Sequence, residues 1–212
     1  MVTANIGTDR GITEAVAGLR ETAEREDRPI GMLVHCAGAV GRLGPVTQIT
    51  SADLETAFTL HAKAPLLLTT GLLDVLAPGA RVLSLSTRAA HATFPGIGIY
   101  AAAKHAQHSV TTSLRLELAP EVLVASLIPG EVDTGMQADL RAPDPGLFEL
   151  AAFFRENEGN LIPVDIAVDF VAWVLTGTPD DEFSREDDWY IYDASHHARW
   201  VREGHAFDYP EP

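Results

Sequence analysis

The sequence predicts an α/β protein built on a doubly wound parallel sheet with helices on both faces. Three observations carry this. Short apolar runs of β type recur along the chain, at "GMLVHCAG" (31–38), "ARVLSLST" (80–87), "EVLVASLIPG" (121–130) and "DWYIYD" (188–193). Helix-length segments separate them, the alternation that gives a parallel sheet. The runs "MLV" and "VLVASLI" lack polar alternation, as suits strands buried on both faces.

The segments between the runs carry helix punctuation. The segment 51–76 opens on Thr50-Ser-Ala-Asp53, a capping-box pattern. The segment 97–119 stops at Pro120, which cannot continue a helix. The segment 164–176 has Pro163 at its start and Gly177 just past its end. The strand ends read "HCAG", "SLST" and "IPGEVDTG"; their small and hydroxyl residues let a ligand approach the backbone, and ligands of such sheets bind at the carboxyl ends.

Composition narrows the possible partners. The chain has 212 residues and a net charge of −15, from 15 Lys+Arg against 30 Asp+Glu. So acidic a surface argues against nucleic acid or anionic membrane and favours plain solubility. No apolar run reaches the roughly 18 residues of a membrane helix. The N-terminus lacks the basic-then-apolar pattern of a secretory signal, and the single cysteine, Cys36, cannot form an internal disulfide; the expected location is cytoplasmic.

Chemistry enters at "GIYAAAKHAQ" (98–107), where Tyr100 and Lys104 stand four apart on one helix face. The segment follows the strand that ends in Ser86 and Thr87, so the pair falls beside the expected ligand position. With "CAG" at 36–38 and "PGEVDT" at 129–134, the ordered series resembles the short-chain dehydrogenases/reductases. The resemblance covers residues 2–193 of a single domain and leaves 194–212 as a C-terminal tail. The stretch "VDTGMQADLR" is most similar to the sepiapterin and benzil reductase-like members.

The resemblance implies a Rossmann-like sheet lacking its first one or two strands, and an NAD(P)-dependent oxidoreductase acting on a small carbonyl or alcohol. Tyrosine titrates near pH 10. A lysine cation favours the phenolate, so Tyr100 would exchange a proton with the substrate oxygen while Lys104 assists. A hydroxyl thirteen residues before the tyrosine orients that oxygen in the family; that position is Thr87, with Ser86 beside it, and adjacent strand residues face opposite sides. Ala37, Gly38, Pro129, Gly130 and Thr134, with Tyr100 and Lys104, match the cofactor positions. NAD and NADP stay undistinguished. Assembly as a homodimer or homotetramer through 51–76 and 97–119 is also implied.

Two departures qualify the pattern. His61 stands where the family usually has an asparagine that bends its helix and supports a water leading to the lysine. Histidine can also bond a water, yet it is larger and can carry charge. The alternative is a satisfied helix histidine. The second departure is at the start. Only 30 residues precede "GMLVHCAG", and no TGxxxGxG turn is among them. In the preferred alignment, "TANIGTDRGITEAVAGLR" is the third strand and its helix; in the other, "IGTDRGI" is a worn glycine turn with Gly7 and Gly11 spaced correctly. Either leaves weak dinucleotide anchoring. "VTANI" would then cover the open edge of "GMLVHCAG". The competing function is a catalytically impaired homologue serving as an oligomer or binding module.

Smaller features have bland expectations. Cys36 reads as a small buried residue and His35 as core. His196, His197 and His205 in the tail have no carboxylate or cysteine at matching spacing, so no metal is assigned. Trp200, Phe207 and Tyr209 suit tail packing. Met136, Leu140, Phe148, Phe153 and Phe154 suit an apolar lid.

Overall fold

The structure is a computed structural model and describes residues 1–146, 148–203 and 205. Phe207 and Tyr209 lie outside them. Four strands, β1 (Ile30–His35), β2 (Leu76–Leu85), β3 (Val122–Ile128) and β4 (Trp189–Tyr190), form one sheet in that order, every pair parallel. Helices α1 (Asp9–Arg25), α2 (Ser51–Phe58), α3 (Ala64–Gly71), α4 (Gly98–Leu118), α5 (Gly135–Arg141), α6 (Leu150–Glu156), α7 (Val164–Gly177), α8 (Asp180–Phe183) and α9 (His197–Trp200) connect and cover it.

Both faces of the central strands are filled. On one, Val82, Val122 and Val124 pack with Leu72 and Leu114. On the other, Leu83, Ala125 and Leu127 pack with Phe170 and Val174 of α7, Phe183 and Trp189. The unbroken apolar run of β3 is thus explained by its two covered faces. Trp200 and buried His196 join the second cluster, so the start of the tail is part of the packing.

The helix ends follow their sequence signals. Thr50 and Asp53 exchange both capping-box hydrogen bonds at the start of α2. Between α2 and α3 the helix widens into a π turn, Thr59–Lys63, with buried His61 in it. Such single-turn bulges often sit at functional sites.

The N-terminal segment departs from expectation. Residues 1–5 form no strand, and among the described residues β1 pairs with β2 alone. "VTANI" therefore does not cover the β1 edge. Instead Asn5 folds over the start of α1: its carbonyl accepts from Thr8, and a Cβ on Gly11 would lie 1.9 Å from that oxygen. Helix α1 packs on α3, with Ile12 and Ala15 against Ala64 and Leu68. Its layer is that of α3 and α4, and among the described residues nothing covers the far face of β1, where Met32 and Val34 are exposed.

Candidate active site

Tyr100 lies in the first turn of α4, below the carboxyl ends of β2 and β3. Burial follows from the local sequence: Ile97, Ala101 and Val40 surround the ring, and Leu140 and Phe148 close over it. Only 8% of Tyr100 is exposed. The Thr87 side chain acts on its hydroxyl and favours the phenolate. Thr87 also caps the short turn 88–90 by accepting from Ala89 N, which fixes its rotamer. Ser86 instead donates its backbone amide to the Leu127 carbonyl. Of the two adjacent residues, Thr87 is the one whose side chain acts on the Tyr100 hydroxyl.

One turn along α4, the Lys104 ammonium is buried. It donates to the Leu85 carbonyl at 2.8 Å and to Gln107 Oε1 at 2.5 Å. Gln107 was not legible as a site residue, although its place three residues after Lys104 was the available signal. Burial lowers the Lys104 pKa to about 8, against the opposing pull of Asp188 and Cys36. Burial also pushes the Tyr100 phenol up to about 12, partly offset by the Thr87 hydrogen bond. The lysine is held by Leu85 and Gln107 in this arrangement.

His61 stands beside the pair, its ring edge-on to Tyr100 with centroids 5.4 Å apart. Nε2 donates to the Ala39 carbonyl at 2.9 Å. That fixes the tautomer and leaves Nδ1 as a bare acceptor, buried and without a hydrogen-bond partner. Burial first, then the Lys104 charge, lowers the His61 pKa to about 4. The ring is therefore neutral at pH 7.

The candidate cofactor residues flank this group. Ala37 and Gly38 lie in the exposed loop after β1, and a Cβ on Gly38 would meet the His61 ring at 3.2 Å. Pro129 and Gly130 follow β3; Gly130 has φ +77°, and a side chain there would strike Ile162 and Tyr192. Thr134 stands at the N-cap position of α5 without capping it, its hydroxyl donating back to the Val132 carbonyl. Met136 of α5 also approaches Gly38. The lid residues Met136, Leu140, Phe148 and Phe154 pack around Tyr100, whereas Phe153 is 47% exposed. Cys36 is exposed rather than buried, because no element covers that end of β1. His35 is core as expected, bonded to Thr69, with its pKa lowered by burial to about 4.

Comparison with known proteins places this arrangement. The short chain dehydrogenase family profile matches residues 2–145. Sepiapterin reductase of Rattus norvegicus is 31% identical over 172 residues, covering 76% of this chain and 64% of that protein. The match thus spans less than two thirds of the relative's length. Among solved structures, a short chain dehydrogenase/reductase of Saccharomyces cerevisiae superposes with TM-score 0.79 at 20% identity, over 94% of this chain and 79% of its own. An angucycline C-6 ketoreductase with bound NADP gives TM-score 0.72 at 20% identity, over 90% and 72%. At such identities the structural likeness speaks for the fold. Among the described residues no helix is long and apolar enough to cross a membrane.

Proposed function

The chain belongs to the short chain dehydrogenase family, and on that premise we propose that it is an NAD(P)-dependent oxidoreductase interconverting a small carbonyl compound and its alcohol. One observation carries the reading: a buried tyrosine whose hydroxyl feels the strand-end Thr87, with a buried lysine one helical turn away on the same helix. The cofactor, when bound, supplies the hydride. Tyr100 gives the proton to the carbonyl oxygen, or takes it from the alcohol. Thr87 holds the same oxygen, and Ser86 serves the backbone at the strand end. Lys104 stabilises the phenolate once it exchanges a backbone contact for the site. His61 offers its Nδ1 lone pair to a proton moving from the lysine side, the part the family gives to asparagine.

The residues fit the nicotinamide end of the cofactor. Ala37, Gly38, Pro129, Gly130 and Thr134 lie at strand carboxyl ends with small or exposed groups, where a flat ring can approach. They fit the phosphate end poorly. At the start of α1, Gly7 N and Gly11 N are already donated to Asn5 and Thr8 side chains. Charge-assisted phosphate contacts contribute roughly 1.5–3 kcal/mol each, so lacking two weakens binding by about 3–6 kcal/mol. We expect dinucleotide dissociation constants no tighter than sub-millimolar for this chain.

The test is direct. Calorimetric titration with NADPH and NADH should give that weak binding, and NADPH oxidation should be measurable with small ketones or aldehydes at saturating cofactor. Turnover absent at millimolar cofactor would overturn the oxidoreductase reading. It would favour the second reading, a non-enzymatic oligomer or binding module, which the bare face of β1 supports through exposed Met32 and Val34. Exposed Leu54, Leu67 and Leu116 on α2, α3 and α4 support assembly as a dimer or tetramer through those helices.

A further inference from the structure

Three side chains with metal-binding chemistry converge beside α4, apart from the Tyr100 contacts. His91 follows the turn after β2, His108 lies one helical turn beyond Lys104, and Asp188 immediately precedes β4. One donor atom from each falls within 4.8 Å of the others. His91 Nε2 stands 2.6 Å from Asp188 Oδ2, and the two imidazole rings meet edge-on with centroids 4.6 Å apart. The Asp188 side chain is only 6% exposed, and its other oxygen accepts from the Ser126 hydroxyl. His108 Nδ1 is buried with no hydrogen-bond partner.

We propose that His91, His108 and Asp188 form a site for a divalent first-row transition ion, with zinc the favoured occupant. The donor set decides the class. Two imidazoles with one carboxylate suit zinc and its neighbours, whereas magnesium and calcium take oxygen ligands. The geometry is close to closed: donor atoms on a tetrahedral zinc lie roughly 3.3 Å apart, given bonds of about 2.0–2.2 Å. Side-chain rotation of His91, which is 45% exposed, can bring the cluster to that spacing while its contact with Asp188 is kept. It also lines a cavity of about 390 Å³ with Arg88, Ala92, Ile128 and Tyr190, which gives an ion a way in.

Two details separate this cluster from a plain His91–Asp188 ion pair. Ser126 orients the buried carboxylate from behind, as outer partners of metal-bound carboxylates do. The ion pair alone leaves the buried His108 Nδ1 unsatisfied, which is unfavourable, while a metal ion would take that lone pair. The positive Arg115 nearby opposes a cation and sets the affinity lower than in a closed four-ligand centre.

Zinc titration of the full chain, after chelator treatment and dialysis, tests the proposal without any oxidoreductase assay. One ion should bind per chain with a dissociation constant of about 1 μM or tighter, or about −8 kcal/mol, and magnesium should not compete. Cobalt(II) should give visible absorption that zinc bleaches. His91→Ala, at an exposed position that leaves the fold intact, and Asp188→Asn should each weaken zinc at least about tenfold, as loss of even an outer-shell partner does. Ser126→Ala should weaken it less, and His205→Ala not at all. Equal zinc affinity in the wild type and His91→Ala, or no binding by the wild type, would overturn the site. Asp188→Asn is read only if circular dichroism matches the wild type; otherwise His91→Ala decides.

Discussion

Strands β3 and β1 belong to one sheet yet live in different surroundings. In β3, Val124, Ala125 and Leu127 are wholly buried between α4 on one side and α7 on the other. In β1, Leu33 and His35 face the covered side, while Met32 and Val34 on the opposite side are 49% and 37% exposed. The candidate chemistry hangs from the closed half: Thr87 after β2, Tyr100 and Lys104 on α4. Two of the candidate cofactor contacts, Ala37 and Gly38, hang from the open half. The comparison teaches that a polar group can be held by packing on every side while the strand beside it in the same sheet is left open. Packing, not proximity in sequence, separates the two.

The strongest way to break this comparison is at the closed half. Tyr100→Phe removes one oxygen from a packed ring and keeps the ring itself. Activity should fall about 10²- to 10⁴-fold, the usual worth of a general acid, with thermal stability nearly unchanged. Initial rates of NADPH oxidation in both proteins check it. Retention of more than a tenth of the rate would remove Tyr100 from the chemistry.

Next in size is a pH effect set by buried histidines. His35 and His61 both titrate at about 4 in the fold and near 6.5 when unfolded. Between those values the unfolded chain binds more protons, so folding stability is full above pH 6.5 and declines as pH falls toward 4. At pH 5 the loss is about 2 kcal/mol per histidine relative to pH 7.5. Urea unfolding at the two pH values measures it. His61→Asn should remove about half of the loss, and an unchanged difference would show that His61 is not held neutral by the fold.

A pair of substitutions, whose smaller member has the smallest effect of all, sharpens the contrast between the two strands themselves. Leu83→Ala, in the wholly buried core, should cost about 2–5 kcal/mol of stability. Met32→Ala, on the bare face of β1, should change it by less than about 0.5 kcal/mol in the monomer. Denaturant midpoints compare them. A large loss at Met32 would mean that something covers this face in solution, and light scattering would then identify a second copy of the chain.

The alternation of apolar runs and helical segments was legible in the sequence, because strand burial on two faces and helix capping leave local signatures. The Thr50–Asp53 box and the stop before Pro120 formed as written, and α4 carries Tyr100 and Lys104 on one turn as their spacing required. Three features were decided only by the tertiary structure. The N-terminal five residues wrapped the start of α1 rather than pairing with β1, since Gly11 allows the Asn5 backbone to approach where any side chain would clash. Thr87 came to act on the Tyr100 hydroxyl, where the sequence left Ser86 and Thr87 both open. The burial that raises Tyr100 and lowers Lys104 and His61 depends on Leu140, Phe148 and Leu85, which the chain brings in from other segments. The approach of His91, His108 and Asp188 is of the same kind. Periodicity and motifs report what neighbours in sequence must do, whereas distances between residues far apart in the chain, and the desolvation that sets their chemistry, exist only once the sheet has assembled.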